Sequence, residues 1–293
     1  MGPDIIKLKD IKPALSGYLK ETLGLLDLSP VPDDRIIHDI RVLMKKSRAV
    51  MKLMAGSAGS DFFNREYGTF REAGRILCSW RESSVHRKTL KELKKMHPLV
   101  FKGLAGNQKI ESLIKKTDQP AEPSAEMKEI LERIRELIYR SSYRIRFQKM
   151  TDLNPEILLK ELEKSYILTT EKYLISRNSM KAADIHELRK RAKDFLYQLW
   201  FFRPVNPPVI KSLEKKLDTL TQNLGKYNDL DQLIRTLEYK YSQDTALPVM
   251  DELILLIRQE QDRYLSRVWP AAYKIFRPGR MLESVMGFKV LRF

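Results

Sequence analysis

Apolar residues recur at three- and four-residue spacing from about residue 5 to 27, at Ile5, Leu8, Ile11, Leu15, Leu19, Leu23 and Leu26, the signature of one helix face. Ser29-Pro30-Val31-Pro32-Asp33 ends this run, and Asp33 or Asp34 is suited to cap a second helix reaching about Leu53, before Gly56-Ser57-Ala58-Gly59-Ser60. A third helix is predicted over about 61–82. A strongly basic stretch from His86 to about Lys95 follows, and then Pro98, Gly103 and Gly106. Residues 116–124 are polar, contain two prolines and read as a linker inside the first half of the chain. Beyond it the pattern predicts helices over about 125–149, from Asn154-Pro155 to about Arg177, over 180–203, two short ones near 208–223 and 227–240, and a last one over 247–276. No useful β-alternation occurs, so the predicted class is all-α.

The second helix carries an unusual line of charge. His38, Arg41, Lys45, Arg48 and Lys52 stand at i, i+3, i+7, i+10 and i+14, one stripe at about 100° per residue. Ile37, Ile40, Met44, Met51 and Met54 lie roughly 120° round the same helix, so the cationic line borders the side predicted to face the core. In a single helix this pattern would also describe a solvated face beside a core stripe.

Its recurrence changes the reading. Ile37-His38-Asp39-Ile40-Arg41 matches Ile185-His186-Glu187-Leu188-Arg189, and Lys45 matches Lys193, at an offset of 148 residues. Leu77-Cys78-Ser79-Trp80-Arg81-Glu82 lines up with Leu224-Gly225-Lys226-Tyr227-Asn228-Asp229 at an offset of 147. A weaker match sets Met127-Lys128-Glu129-Ile130 against Met250-Asp251-Glu252-Leu253, with Arg140 and Arg144 facing Arg263 and Arg267, at 123. The fall in offset places an insertion of 24 residues in the first half, after about Ser84. Internal repetition of this kind predicts two homologous four-helix units, 1–148 and 149–293, forming one domain about a pseudo-twofold axis. If that axis brings the two histidine helices together, their stripes form a cationic cleft whose self-repulsion an anion would relieve.

Composition narrows the partner without naming it. The chain has 293 residues, 43% of them hydrophobic, with 54 Lys+Arg against 38 Asp+Glu and a net charge of +16. That balance calls for nucleic acid, a membrane surface or a phosphate-rich ligand. The single cysteine, Cys78, allows no internal disulfide, and no leader or membrane-length apolar run is found, so the expected setting is cytoplasmic, without membrane insertion. There is no phosphate-binding glycine loop, and Asn228-Asp229-Leu230-Asp231 lacks the spacing of a calcium loop. That tetrapeptide is expected to cap a helix or to orient a basic side chain. No metal or cofactor is expected.

These residues resemble the CHAD family, the conserved histidine α-helical domain proteins. The family's H-x-x-R-x-x-x-K/R helix is met twice, by His38/Arg41/Lys45 and His186/Arg189/Lys193, and its later R-D or N-D dipeptide is met by Asn228-Asp229 and, with a departure, by Arg81-Glu82. The resemblance covers essentially the whole chain. It implies two four-helix bundles about a pseudo-twofold, a basic central cavity, and non-catalytic binding of inorganic polyphosphate or related phosphate-rich anions, in association with polyphosphate granules. The second stripe is shorter, because Leu196 and Trp200 occupy the places of Arg48 and Lys52. The triphosphatase domain appended in some family members has no counterpart here.

The candidate polyphosphate ligands are therefore His38, Arg41, Lys45, Arg48, Lys52, Arg71, Arg75, Arg81, Arg140, Arg144, His186, Arg189, Lys193, Arg263 and Arg267. Arginines offer forked donors and lysines point charges, while the histidines would either donate when protonated or pack as neutral rings. Arg140, Arg144, Arg263 and Arg267 fit either ligand contact or ion pairs with neighbouring helices. The run from His86 to Lys95 reads as a solvated extension. Nucleic acid or an acidic protein is the alternative partner. Tyr139 to Phe147 interleaves aromatics with arginine, but Tyr143 and Phe147 stand at core spacing, which is expected to bury them.

Overall fold

In a computed structural model, residues 8–28, 32–77, 79–103, 125–149, 154–241 and 248–287 are described, and all regular structure among them is helical. The helices are α1 (Leu8–Asp27), α2 (Asp34–Leu53), α3 (Ser60–Ile76), α4 (Ser79–Met96), α5 (Pro98–Gly103), α6 (Ala125–Phe147), α7 (Pro155–Ser179), α8 (Ala182–Leu199), α9 (Pro207–Tyr241), α10 (Pro248–Phe276) and α11 (Leu282–Met286). A 3₁₀ turn, Trp200–Phe202, follows α8. The linker predicted at 116–124 and the side chain of Arg81 lie outside what is described.

Local chemistry sets several boundaries. Asp33 caps α2, its Oδ1 accepting from the backbone N–H of Arg35 at 2.9 Å and of Ile36 at 2.8 Å. Asn154 does the same for α7, accepting from Glu156 N–H at 2.8 Å with Pro155 in the first turn. Two expectations fail. The third helix stops at Ile76 and a new one starts at Ser79, whereas the pair expected near 208–223 and 227–240 is one continuous helix, α9. Gly225 falls in the expected gap, but a glycine inside a helix costs only about 1 kcal/mol, which the packing of Leu224, Tyr227 and Leu230 on either side outweighs.

The contacts between helices form two circuits. α1 packs on α2, α2 on α3, α3 on α6 and α6 on α1; α7 packs on α8, α8 on α9, α9 on α10 and α10 on α7. Direct packing of α2 on α8 joins them, and α4 reaches across to α9. The core-side residues predicted on α2, namely Ile37, Ile40, Met44, Met51 and Met54, are all buried. Across α7, α8 and α10 the rings of Tyr166, Phe195 and Phe276 meet with centroids 5.7 to 6.3 Å apart, each pair contributing about 0.5–1.5 kcal/mol beyond its buried area. A smaller apolar cluster, with Leu90, Leu93 and Phe101 against Leu233, Leu237, Leu253 and Ile257, seats α4 and α5 on α9 and α10. His97 Nε2 lies 2.9 Å from Glu260 Oε1 at the edge of that cluster.

One buried carboxylate ties α3 to α6. Glu66, fully buried, accepts from Ser141 Oγ at 2.5 Å and from Arg144 Nε and Nη2 at 2.5 and 3.0 Å. Glu66→Ala should lower the unfolding free energy by about 2–3 kcal/mol in urea denaturation. That is below the ~3–5 kcal/mol of a fully buried pair, because Arg144 keeps partial access to water; Glu66→Gln should fall in between.

Candidate functional site

The site is built where α2 meets α8. Two polar links cross this seam: Gln198 Nε2 donates to Ala49 O at 3.0 Å, and Lys52 Nζ to Asp194 Oδ2 at 2.5 Å. α2 and α8 carry the two H-x-x-R motifs, and Arg41 lies near enough to Arg189 to act on its charge. Arg41 Nη1 donates to Gly74 O at 2.8 Å. Arg189 lies against the backbone of Gly225, where a Cβ would stand 3.2 Å from its Nη2, so the missing side chain is what makes room for the guanidinium.

The electrostatics record this crowding. Burial pulls the pKa of Arg189 below its usual value; Asp229 and Tyr197 oppose the shift, and the positive charge of Arg41 adds to it. The Nε–H groups of Arg41, Arg48 and Arg189 are buried without an acceptor among the described residues, as are those of Arg135, Arg191 and Arg280 elsewhere. Tyr197 is held beside them, its phenol pushed up to about 12, chiefly by burial, with Arg189 pulling it down and Asp218, Asp194 and Tyr18 pushing it further up.

His186 Nδ1 donates to Asn228 Oδ1 at 2.7 Å. Asn228 sits inside α9 and so caps nothing; it orients the histidine. Burial lowers the pKa of His186, the Asn228 bond opposes this, and Lys190 and Arg189 reinforce it. The folded chain therefore favours the neutral ring. Its contribution to stability is complete above the ordinary histidine pKa and is lost as pH falls through the depressed one. His38, by contrast, is exposed.

The remaining candidates divide by their partners. Lys193 Nζ bonds Asp218 Oδ1 at 3.0 Å and lies over the Tyr197 ring at 5.7 Å, while Lys52 lies over the Tyr67 ring at 5.6 Å. Both lysines thus have carboxylate partners, and the two links meet α8 at the adjacent residues Lys193 and Asp194. Lys45 is half-buried on the same face of α2. Arg144 is engaged by Glu66, Arg140 by Glu136 and Arg263 by Glu260, so these three make ion pairs. Arg71, Arg75 and Arg267 are exposed. Sequence reasoning missed Asp194, Asp218, Tyr197 and the seating role of Gly225. Of these only Gly225 carried a signal, being a glycine in the middle of a repeat match.

Among the described residues no group of three or more His, Cys, Asp or Glu side chains is placed to hold a metal ion, and no helix is long and apolar enough to cross a membrane. The sequence profile of the CHAD domain matches residues 14–263. The chain belongs to the CHAD family. The match takes in both H-x-x-R helices and Asn228-Asp229 and stops within α10, at a point that leaves Arg267 outside it. No curated protein matches the CHAD chain.

Two substitutions read out this geometry. Gly225→Val should push the Arg189 guanidinium from its seat with little change in thermal midpoint, because the atom displaced is the end of a flexible side chain. If the arginine is an anion ligand, a rise in midpoint on adding tripolyphosphate should be smaller than for the unsubstituted chain. Asp194→Asn, which takes the carboxylate from Lys52, should enlarge that rise; differential scanning fluorimetry measures both.

Proposed function

We propose that this CHAD chain binds inorganic polyphosphate, without catalysis, through the basic faces of α2 and α8. The reading rests on one observation above others: buried, unpaired guanidinium donors on two packed helices, with like charges brought close at Arg41 and Arg189. Burial of unpaired donors costs stability, and a chain of phosphates would satisfy several at once. Arg41, Arg48 and Arg189 supply the central contacts, with Lys45, Lys52, Lys193 and His186 beside them and His38 at the open end of α2. The two circuits of helix contacts support two related units, 1–148 and 149–293, about a pseudo-twofold that passes between α2 and α8, with the anion held in a basic cavity there.

A linear polyphosphate bears about one charge per phosphate and no base edges, so it is held by a track of donors and not by a shaped pocket. As with other polyanions, affinity should fall steeply with salt as bound counterions are released. Asp194 and Asp218 compete with the anion for Lys52 and Lys193, so weakly charged ligands gain least there. A neutral His186 has to take up a proton before it adds charge to the site.

Titration with long-chain polyphosphate, single-stranded RNA and double-stranded DNA at matched phosphate and salt tests the reading. Arg41→Ala with Arg189→Ala should weaken polyphosphate binding at least ~30-fold, on the order of 1–3 kcal/mol per charge-assisted contact. Lys91→Ala with Lys95→Ala in the basic run of α4 should change it less than about threefold. The reading fails if that order reverses, or if RNA or DNA binds through Arg41 and Arg189 as tightly as polyphosphate does.

A further inference from the structure

The solvent side of α6 carries a feature that the seam between α2 and α8 does not use. Tyr139, Tyr143 and Phe147 are 65%, 62% and 62% exposed. The burial expected of Tyr143 and Phe147 fails because Ile134, Ile138, Ser141 and Ile145 occupy the inner face instead. With the three rings one turn apart, they form a row along the outer face, and the Tyr143 and Phe147 centroids are 4.7 Å apart with planes tilted by 50°. Arg146 places its guanidinium 5.7 Å from the Phe147 ring. Arg140 stands between Tyr139 and Tyr143, paired with the exposed carboxylate of Glu136 on its own helix, a kind of pair worth little in water. Lys149 is exposed just beyond the helix end.

This face differs in kind from the chain's other exposed apolar helix face. On α7, Ile167, Leu168, Leu174 and Ile175 are aliphatic. From Tyr139 to Phe147 the exposed positions of α6 are rings and arginines, with no exposed aliphatic side chain among them. Rings and guanidinium planes stack on flat partners, and arginines also neutralise phosphates. An anion made only of phosphate has no use for the rings. α6 packs on α1 and α3, the two helices that flank α2, so its outer face is turned away from α2 and the arginine group.

We propose that the outer face of α6 is a stacking platform for single-stranded nucleic acid, independent of the polyphosphate site. Bases stack on Tyr139, Tyr143 and Phe147 while Arg140, Arg146 and Lys149 contact the phosphates between them. Successive rings rise by about 6 Å along the helix, well beyond the ~3.4 Å repeat of a stacked duplex strand. An unstacked strand can follow that spacing, and a duplex keeps its base faces out of reach.

The test uses the full chain, with fluorescence anisotropy of a labelled oligouridylate, a duplex of equal charge, and unlabelled polyphosphate as competitor. Tyr139→Ala/Tyr143→Ala/Phe147→Ala should weaken oligouridylate binding at least ~10-fold and leave polyphosphate binding unchanged. Tyr139→Phe/Tyr143→Phe, which keeps the rings, should bind as the wild type does. Arg41→Ala/Arg189→Ala should leave oligouridylate binding within about twofold. The proposal is overturned if the triple alanine variant binds oligouridylate normally, if the duplex binds equally well, or if the Arg41/Arg189 variant loses the oligonucleotide. A concentration-dependent dimer in sedimentation that the triple variant abolishes would also overturn it, assigning the face to a second copy of the chain.

Discussion

The direct packing of α2 on α8, two helices that each carry a cationic H-x-x-R motif, is the constraint around which this fold is arranged. Two helices whose facing edges are cationic pack only if something else supplies the attraction. Here the apolar sides of both helices are buried in one continuous core that includes Ile40, Met44, Leu188 and Phe195, and Gln198 bonds the backbone of α2. The repulsion is tolerated because it acts over a few side chains while the apolar burial acts along the whole length of both helices. It is moderated locally by a backbone carbonyl at Gly74 and by the charge of Asp229.

Carboxylates then decide which cations remain available. Glu66 takes Arg144 into an interior pair, and Asp194 and Asp218 engage Lys52 and Lys193. The Nε–H groups of Arg41, Arg48 and Arg189 are left without an acceptor among the described residues. A net charge of +16 therefore describes this chain poorly as a binding surface, because several of its cations are held by carboxylates of its own.

Much of the framework is visible in the residue pattern. The period of Ile37, Ile40, Met44 and Met51 fixes the inner face of α2, Asp33 and Asn154 mark helix starts, and the repeated H-x-x-R motif points to α2 and α8 as a pair. Where the reading fails, the causes are specific. Gly225 falls in the gap expected between two short helices, yet it lies inside α9 against an arginine brought from α8, a contact between positions 36 residues apart in the chain. Tyr143 and Phe147 have the spacing of a core face, yet Ile138, Ser141 and Ile145 define a competing face of the same helix, and packing against α1 and α3 chooses that one. Periodicity names the faces a helix offers; only its neighbours choose among them.

The sequence by itself determined the all-α class, the buried side of α2, the duplicated histidine motif and membership of the CHAD family, because these depend on local spacing and on residue identity. Only the tertiary structure decided which cations meet, which are neutralised and which rings stay in water. Those outcomes turn on ångström-scale distances between side chains far apart in sequence, such as Lys52 and Asp194 or Glu66 and Arg144. The local pattern carries no record of them, since a lysine on a helix reads the same whether its partner is water, a phosphate or an aspartate from the helix packed against it.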